Sequence, residues 1–329
     1  MEMQKIRWGL MSTARINDKI IPAIRNSQQG SLEAVASRKG MKALSYARRN
    51  GIPRAFGSYQ EMLASDAVDV VYISLPNHLH AEWTIKALQA GKHVLCEKPL
   101  ALSEKEVEAI QKASQDTGYL AAEALMYRHH PQSIMIEKLI ADGKLGELQS
   151  IRGVFNFILG GPKDIRNQVE MGGGALWDIG IYPVTYAQWL MKTPAESVFG
   201  VQRTGSTGID TVFHGELMFP DNRFAQISCS FQSPSHTSVE VMGSEGRLLI
   251  PKPFNGMEAN QEILYFDRYG ELTAIKIPAN ELYLYEVEDL HTAILNGVAQ
   301  RVSLKESRET IRTICGLYRS AKTGQVVKL

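Results

Sequence analysis

The first 125 residues alternate short apolar runs with segments of helical periodicity, and this alternation restricts the chain to few folds. Such a rhythm is typical of parallel strands joined by crossover helices. The run Val70–Ile73 is apolar at every position, as expected of a central strand covered on both faces. The predicted strands span residues 6–11, 31–37, 55–58, 68–76, 93–99 and 119–125. We therefore predict a doubly wound α/β domain with a mostly parallel sheet over residues 1–125.

From about residue 148 the pattern changes to strand-like runs with few helices between them. Tight turns at 243–246 and 267–271 join successive runs, which indicates antiparallel pairing. Helices are predicted over residues 103–117, 180–191, 283–295 and 304–321. Ser103 with Glu106, and Ser303 with Glu306, are capping boxes that begin two of these helices. We predict an α+β second domain over residues 126–329, with a large, mostly antiparallel, open-faced sheet.

Composition excludes several classes of protein. The 36 Lys and Arg residues nearly balance the 35 Asp and Glu residues, so the net charge of +1 gives no field to hold a nucleic acid or an anionic membrane surface. The three cysteines, Cys96, Cys229 and Cys315, are too few for a disulfide framework. Since no run of 18 apolar residues and no targeting signal is evident, we expect a cytoplasmic protein.

The turn after the first predicted strand departs from the glycine-rich dinucleotide fingerprint and keeps only its first glycine. We expect Gly9 to permit a tight turn. We also expect the small residues that follow to let backbone amides approach a pyrophosphate at the start of the next helix. The predicted cofactor-binding residues of this turn are Gly9, Ser12, Thr13, Ala14, Arg15 and Ile16. An ordinary strand-to-helix turn without a ligand remains the alternative.

The second predicted strand ends in Ser37-Arg38-Lys39, with no acidic residue to accept the hydroxyls of an adenosine ribose. An arginine supported by a serine and a lysine can instead neutralise a 2′-phosphate. These residues predict NADP as the cofactor, with NAD disfavoured. The alternative is two basic residues on a solvated loop.

Two further groups of residues are suited to proton transfer. Lys98 follows Glu97 at the carboxyl end of the fifth predicted strand, the edge at which open α/β sheets bind ligands. Three consecutive glycines precede a predicted helix in which Asp178 and Tyr182, four residues apart, share one face. For Lys98, the alternatives are a surface ion pair with Glu97 or a snorkelling lysine. For Tyr182, the alternative is a core tyrosine whose hydroxyl bonds to the backbone.

Together these segments resemble the glucose–fructose oxidoreductase / inositol dehydrogenase / rhizopine catabolism family of NAD(P)-dependent oxidoreductases. The resemblance runs through SLPNHLHAEWTIKALQAGKHVLCEKPLAL, EALMYRHHPQ, KLGELQSIRGVF, GGGALWDIGIYPV and VEVMGSEGRLLIPKPF. It implies a Rossmann domain followed by an antiparallel-sheet domain. Many members carry histidine at the position of Tyr182. Tyrosine at this position resembles the subgroup that contains dimeric dihydrodiol dehydrogenases and NADP-dependent xylose dehydrogenases. The resemblance also implies a homodimer or higher homo-oligomer formed through the second-domain sheet.

The resemblance assigns roles to residues of both predicted domains. It implies that Lys98 contacts the reacting oxygen and that Asp178 and Tyr182 complete the catalytic set. We expect Tyr182 to be the general acid/base, Lys98 its electrostatic activator and Asp178 the anchor of a neighbouring substrate hydroxyl, although Lys98 could itself donate the proton. Further predicted cofactor-binding residues are Leu75, Pro76, Asn77, His80, Glu97, Lys98 and Arg128. Predicted substrate-binding residues are Lys98, Asn156, Arg166, Asp178 and Tyr182.

The expected activity is hydride transfer between nicotinamide and a carbinol or carbonyl carbon of a polyol, sugar or ketone. A non-catalytic dinucleotide-binding regulator is the alternative from another class, and a dihydrodiol dehydrogenase is the alternative in substrate. No metal is expected, because the spacing of His78, His80, His129 and His130 matches no recognised zinc helix.

Overall fold

The structure is a computed structural model, and it describes residues 5–161, 164–256 and 258–329. The chain divides into two compact units, and each unit consists of two segments. The first unit joins Met1–His129 to Glu281–Arg308, and the second joins His130–Asn280 to Glu309–Leu329. The return of residues 281–308 to the first unit has no counterpart in the sequence analysis. The domain boundary after residue 125 stays a prediction.

The first unit is built on a parallel sheet of six strands in the order β3-β2-β1-β4-β5-β6. The strands are β1 Ile6–Met11, β2 Gly30–Ala36, β3 Arg54–Phe56, β4 Val70–Ile73, β5 His93–Glu97 and β6 Ala121–Ala124. The helices are α1 Asn17–Asn26, α2 Gly40–Asn50, α3 Tyr59–Leu63, α4 His80–Gln89 and α5 Glu104–Thr117, together with α8 Leu284–Asn296 from the returning segment.

Alternation along β1 shows how this sheet is covered on both faces. Trp8 and Leu10 are fully buried in a cluster that includes Ile20 of α1 and Val287 of α8. Gly9 points to the opposite face, where an added Cβ would meet Met62 of α3 at 2.9 Å. Burying a side chain such as that of Leu10, Ile20 or Val287 contributes about 1.5–3 kcal/mol. The helices on both faces therefore stabilise the sheet.

The two predicted capping boxes differ in detail. At the start of the helix Leu304–Thr323 (α9), the Ser303 amide donates to Glu306 Oε2 (2.9 Å) and the Glu306 amide donates to Ser303 Oγ (3.2 Å), which is the complete reciprocal pair. At the start of α5, Ser103 Oγ accepts from the Glu106 amide, but Glu106 accepts from the amide of Leu102 rather than from that of Ser103. Both helices still begin where the sequence indicates.

The second unit is built on a sheet of nine strands in the order β14-β13-β12-β11-β7-β10-β9-β8-β15. Neighbouring strands are antiparallel except β7 and β10, which are parallel. The strands are β7 Leu148–Asn156, β8 Ser197–Thr204, β9 Asp210–Phe219, β10 Arg223–Ser230, β11 His236–Gly243, β12 Gly246–Ile250, β13 Gln261–Asp267, β14 Leu272–Ile277 and β15 Val327–Lys328. The helices are α6 Pro131–Ala141, α7 Ile181–Met191 and α9 Leu304–Thr323, whose first turn groups with the first unit.

The predicted fold class is confirmed, because a doubly wound parallel sheet is followed by a large, mostly antiparallel one. The helix predicted over residues 180–191 is preceded by a π-helical turn, Leu176–Gly180, which contains Asp178. Hydrogen bonds from residue i to residue i+5 change the angular spacing there, so the α-helical i, i+4 rule holds only approximately for Asp178 and Tyr182. In the part of the chain that the structure describes, no helix is long and apolar enough to cross a membrane.

A buried hydrogen bond joins the returning helix α8 to the parallel sheet. The indole Nε1–H of Trp8 donates to His291 Nε2 over 2.8 Å, and Ser27 Oγ lies 3.1 Å from His291 Nδ1. Burial lowers the pKa of His291 from 6.5 to about 4, because the protonated ring would lose its bond to Trp8 and its solvation. The imidazole is therefore neutral in the folded protein at pH 7.

This depressed pKa predicts a loss of stability in acid. As pH falls below 6.5, the unfolded chain takes up a proton on His291 that the folded protein accepts only near pH 4, so the free energy of unfolding should fall across this window by about 2 kcal/mol. Urea denaturation at pH 7 and at pH 4.5 should show this loss in the wild type and a smaller one in His291→Gln. The exposed His236→Gln serves as the control. Equal pH dependence in the wild type and His291→Gln would contradict the assignment.

Candidate active site

The turn between β1 and α1 is formed differently from the prediction. Gly9 lies within β1, where it allows close packing against Met62 and Val68, so its expected role in a tight turn is wrong. The chain reverses at Ser12, whose φ of 142° lies in a region that favours glycine. Ser12 Oγ donates to the Ser74 carbonyl oxygen (3.0 Å), and it accepts from the Ala14 amide (3.0 Å). These contacts fix the turn without the second and third glycines of the fingerprint.

The same turn offers backbone donors to an anion. The first amides of α1 donate to the carbonyl oxygens of Ala14, Arg15 and Ile16. The amides of Thr13, Arg15 and Ile16 have no acceptor within residues 5–161, 164–256 and 258–329. Free amides at a helix start, together with the helix dipole, suit a pyrophosphate. These three amides therefore fit the pyrophosphate of a dinucleotide. The Ala14 amide is not one of these donors, because it donates to Ser12 Oγ.

The end of β2 carries an exposed basic pair. Ser37 is buried, and Arg38 and Lys39 are exposed. Neither cation forms an ion pair with a carboxylate among the described residues. The Tyr59 hydroxyl lies near Arg38, and burial raises the pKa of that hydroxyl. Two exposed cations without carboxylate partners can neutralise a 2′-phosphate.

Lys98 directly follows β5 and is half-buried at the carboxyl edge of the parallel sheet. Its peptide bond to Pro99 is cis. The next amide, that of Leu100, donates to Oε1 of the buried Glu123 over 2.9 Å. Burial raises the pKa of Glu123, and the charge of Lys98 opposes this increase. Glu123, at the end of β6, thus anchors the turn that carries Lys98 and lies within electrostatic reach of its charge.

Two more buried groups lie beside this turn. The phenol of Tyr72 on β4 donates to Glu97 Oε1. Glu286 of α8 is buried, and neither of its carboxylate oxygens has a hydrogen-bond partner among the described residues. Burial, and then the charge of Glu97, raises the pKa of Glu286 well above the usual range, which favours the neutral acid. Burial also raises the pKa of Tyr72, so a protonated phenol donates to Glu97.

The segment after β4 contains the other predicted cofactor residues. Leu75 is buried, Pro76 and Asn77 are half-buried, and a 3₁₀ turn over Asn77–Leu79 leads into α4. The His80 ring nitrogens face the carbonyl oxygens of Pro99 (2.7 Å, Nδ1) and Leu75 (2.8 Å, Nε2). Burial lowers the pKa of His80, and the two carbonyl oxygens act in the opposite direction. His80 thus joins this segment to the turn after Lys98, and its contact with a cofactor stays a prediction.

Arg128 is buried, and its guanidinium donates to Glu306 Oε1 over 3.1 and 3.2 Å. A cofactor contact would have to share this guanidinium with Glu306, so that assignment also stays a prediction. Nearby, burial lowers the pKa of His129 to about 3, with the cations Arg301 and Arg128 acting in the same direction. Among the described residues, no group of three or more His, Cys, Asp and Glu side chains could hold a metal ion.

In the second unit, a buried carboxylate organises the three-glycine loop before Asp178. Asp210 Oδ2 accepts from the Leu176 amide (2.8 Å), and Oδ1 accepts from the Tyr318 hydroxyl (2.7 Å). Gly174 has a φ of 127°, and a Cβ there would collide with Asp210 Oδ1. Burial raises the pKa of Asp210 to about 6, and its hydrogen bonds oppose this increase. The absence of a side chain at Gly174 therefore lets this loop approach Asp210 closely.

Tyr182 and Asp178 follow from this anchored start. The Tyr182 ring is buried and packs against both Phe155 and Phe254, with centroid distances of 5.4 Å to each, and those two rings stack on one another at 5.6 Å. Asp178 Oδ2 lies 3.4 Å from Nη1 of Arg166, so the structure brings these two predicted residues together. Alternation along β7 places Asn156 on the sheet face opposite to Phe155. The structure therefore does not bring Asn156 to the Tyr182 ring, and its role in binding substrate stays a prediction.

Sequence reasoning missed Asp210, Asp164, Glu123 and Glu286. Asp210 and Glu123 contact residues far away along the chain, and no local pattern signals such contacts. Asp164 lies two residues before Arg166, and that Asp-x-Arg spacing is a signal that could have found it.

The features of the first unit define a dinucleotide-binding fold, and comparison with known proteins agrees. The model of an oxidoreductase family with an NAD-binding Rossmann fold, GFO/IDH/MocA, matches residues 6–124. The model of the GFO/IDH/MocA C-terminal domain matches residues 134–249. The chain belongs to the GFO/IDH/MocA family of NAD(P)-dependent oxidoreductases, which confirms the resemblance stated above.

Two relatives and one solved structure show the range of this similarity. D-xylose 1-dehydrogenase (NADP(+)) 2 of Haloferax volcanii is 36% identical over 98% of this chain and 99% of its own. Trans-1,2-dihydrobenzene-1,2-diol dehydrogenase of Danio rerio is 32% identical over 90% of each chain. KijD10, a 3-ketoreductase from Actinomadura kijaniata solved with NADP and TDP-benzene, is 29% identical, with a TM-score of 0.90 over 96% of this chain and 98% of that one. KijD10 has also been solved as variants with one tyrosine or one lysine replaced.

The Asp210 contacts predict that loss of this carboxylate lowers kcat but leaves the affinity for NADPH nearly unchanged. Asp210→Ala removes the acceptor of the Leu176 amide and the Tyr318 hydroxyl, so the start of α7 should loosen. We expect a melting temperature about 5 °C lower and kcat at least about tenfold lower. The dissociation constant of NADPH, measured by fluorescence titration, should change by less than about threefold. The exposed Asp221→Ala is the matched control, and an Asp210→Ala variant with wild-type kcat would contradict this role.

Proposed function

We propose that the protein is an NADP-dependent oxidoreductase that transfers hydride between nicotinamide C4 and a carbinol or carbonyl carbon of a sugar, sugar derivative or vicinal diol. One observation carries this proposal. Lys98 follows β5 at the sheet edge where the parallel strands β1 and β4 also end, which is the ligand-binding edge of open parallel sheets. The named activities of the xylose dehydrogenase and the dihydrodiol dehydrogenase support the substrate class.

The residues proposed to hold the cofactor are those around the first turn and the basic pair. The amides of Thr13, Arg15 and Ile16 suit the pyrophosphate, and Arg38 with Lys39 suits a 2′-phosphate. When bound, the nicotinamide would supply or accept the hydride. The NADP in the KijD10 structure and in the name of the xylose dehydrogenase supports the choice of cofactor.

The proton is handled by side chains of this chain. A free phenol, with a pKa of about 10, is a weak base at neutral pH and requires a nearby cation to favour its ionised form. We assign the general acid/base role to Tyr182, and to Lys98 the roles of that cation and of a hydrogen-bond donor to the reacting oxygen. Asp178 accepts from a neighbouring substrate hydroxyl and so fixes the position of the substrate. The lysine and tyrosine variants of KijD10 concern the same two residue types.

The proposal includes a homo-oligomer formed through the open face of the nine-stranded sheet. On that face β8 and β10 expose Val201 and Phe224, with 49% and 46% of their surfaces accessible. A shallow groove there is lined partly by Val154 and Phe199. Exposed apolar side chains in one region of a sheet favour burial against a second chain.

Removing either proton-handling side chain should abolish most turnover. Lys98→Ala and Tyr182→Phe should each lower kcat by about 10²-fold or more, because each takes away a group that acts in the transition state. Initial rates should be followed by NADPH absorbance with D-xylose, other aldoses, ketoses, inositols and trans-dihydrodiols.

The matched controls for these variants are the exposed Lys112→Ala and Tyr269→Phe, which should keep wild-type rates. NADPH affinity should stay within about threefold in all four variants. Wild-type rates in Lys98→Ala and Tyr182→Phe would refute the catalytic assignment. A panel without turnover, combined with tight NADPH binding, would favour a non-catalytic regulator.

The basic pair predicts cofactor preference. Arg38→Asp should weaken binding of NADP by about 10- to 100-fold, because it replaces a charge-assisted hydrogen bond to phosphate with repulsion. Binding of NAD should change little, so the ratio of the two dissociation constants should fall towards NAD. Arg48→Asp makes the same charge change at the far end of α2 and should leave the ratio unchanged. Equal binding of NADP and NAD by the wild type would contradict the phosphate assignment.

A further inference from the structure

The middle residue of the three-glycine loop, Gly173, lies directly against the backbone of residues 164–171, which we call the arginine segment. A Cβ on Gly173 would lie 2.5 Å from the carbonyl oxygen of Arg166 and 2.7 Å from that of Gln168. Ordinary van der Waals contact begins at 3.4 Å, so no side chain fits there. The φ of Gly173, unlike those of its two neighbours, lies outside the left-handed region. Glycine is therefore required at this position for space and not for backbone freedom.

Two backbone hydrogen bonds join the arginine segment to the glycine loop at this point. The Gly173 amide donates to the Gln168 carbonyl oxygen, and the Gly174 amide donates to the Arg166 carbonyl oxygen, each over 3.0 Å. The Gly174 carbonyl oxygen in turn accepts from the Asp178 amide over 3.0 Å. Gly174 thus links the backbone of Arg166 to that of Asp178, and Gly173 provides the space in which this link forms.

The side chain of Arg166 is held at the same place. Its Nη1 lies 3.4 Å from Asp178 Oδ2, and its Cζ lies 5.2 Å from the centroid of the Phe157 ring. Its Nε and Nη2 donate to the two oxygens of Asp164 over 2.9 and 2.8 Å. Because Asp164 belongs to the arginine segment, the guanidinium and its strongest partner move together with that segment.

A methyl group at position 173 would displace the arginine segment rather than the start of α7. The start of α7 is anchored by Asp210, which accepts from the Leu176 amide over 2.8 Å. The arginine segment consists of two short 3₁₀ turns, Ile165–Asn167 and Val169–Met171. Relief of a contact of 2.5 Å requires a separation of about 1 Å, which would stretch the two backbone bonds beyond hydrogen-bonding range. The guanidinium would then move away from the helix.

We propose that Gly173 is a positioning residue for substrate binding. Because it has no side chain, the arginine segment closes on the glycine loop and holds the Arg166 guanidinium beside Asp178. Gly173 therefore acts through Arg166, which is one of the predicted substrate-binding residues. This inference rests on the proposed function, in which Asp178 anchors a substrate hydroxyl, and it adds the residue that keeps the neighbouring arginine in place.

Steady-state kinetics with D-xylose and NADP⁺ tests the inference. In Gly173→Ala, KM for D-xylose should rise about tenfold, because the guanidinium is displaced from Asp178. The value of kcat should stay within about threefold, because Tyr182 follows the anchored start of α7. The dissociation constant of NADPH should also stay within about threefold.

Arg166→Ala separates positioning from general damage. Alanine keeps the carbonyl oxygen that collides with a side chain at position 173, so the steric conflict remains although the guanidinium is gone. Gly173→Ala should therefore raise KM no further in the Arg166→Ala background. Equal increases of KM in both backgrounds would overturn the inference. A wild-type KM in Gly173→Ala would do the same, even if Lys98→Ala and Tyr182→Phe are inactive as expected.

The single variant Arg166→Ala keeps the inference testable if Gly173→Ala does not fold. It introduces no steric conflict, and it should itself raise KM for D-xylose about tenfold. A wild-type KM in Arg166→Ala would overturn the inference, because Gly173 is proposed to act through this arginine.

Gly246→Ala is the matched control for a strained glycine. Gly246 lies on β12 of the same unit, and a Cβ there would meet the Lys144 carbonyl oxygen at 2.7 Å. This variant should lower the melting temperature about as much as Gly173→Ala does, but it should keep the wild-type KM. A similar rise of KM in Gly246→Ala would show that the effect is not specific to Gly173 and would contradict the inference.

A crystal structure of Gly173→Ala decides the matter if D-xylose is not turned over. In it, the distance from the residue 174 amide to the Arg166 carbonyl oxygen should exceed about 3.5 Å, while the Leu176 amide stays bound to Asp210. An arginine segment in its wild-type position would overturn the inference without bearing on which substrate the enzyme uses.

Discussion

In the second unit, the placement of Asp178 and Tyr182 depends on the hydrogen bonds of the buried Asp210 carboxylate. It binds the Leu176 amide and the Tyr318 hydroxyl, and Gly174 lacks the Cβ that would exclude it. A carboxylate removed from water is stable only when its oxygens are satisfied by hydrogen bonds, and here those donors come from the loop before α7 and from α9. The direction in which α7 begins, and with it the positions of Asp178 and Tyr182, follows from that requirement.

In the first unit, the corresponding constraint is the turn that carries Lys98. The Leu100 amide donates to Glu123, and the carbonyl of Pro99 faces a ring nitrogen of His80. The lysine therefore projects from a turn held by partners on β6 and α4. Fixed placement of this kind suits the role proposed for Lys98, since misplacement of a catalytic group by about 1 Å can cost 10²-fold in rate.

The sequence predicts most of this framework because its signals are local. The starts and ends of β1, β5 and α5 follow from apolar runs, a capping serine and a terminal glycine, and each is found within two residues of its predicted position. The motifs around Lys98 and Tyr182 are continuous segments, so their fold context could be read directly. The role given to Gly9 fails because its packing partner Met62 lies more than 50 residues away, and that contact has no local trace.

The long-range contacts of buried titratable groups are the part of the structure that the sequence does not predict. Asp210, Glu123 and His291 each bind groups brought together only by the tertiary fold, and their depressed or raised pKa values follow from burial. Asp164 is the exception, since its partner Arg166 lies two residues along the chain and sequence reasoning assigned that arginine to the substrate. The Asp-x-Arg spacing is compatible with this pairing, and the coordinates show that the guanidinium contact is bidentate.

The central claim is that Lys98 and Tyr182 serve one proton transfer. The most direct measurement is a double-mutant cycle of kcat/KM over the wild type, Lys98→Ala, Tyr182→Phe and the double variant. Groups that act together lose their effect together, so the double variant should be about as slow as the slower single variant. If the two losses instead multiply, the side chains act independently and the claim is contradicted.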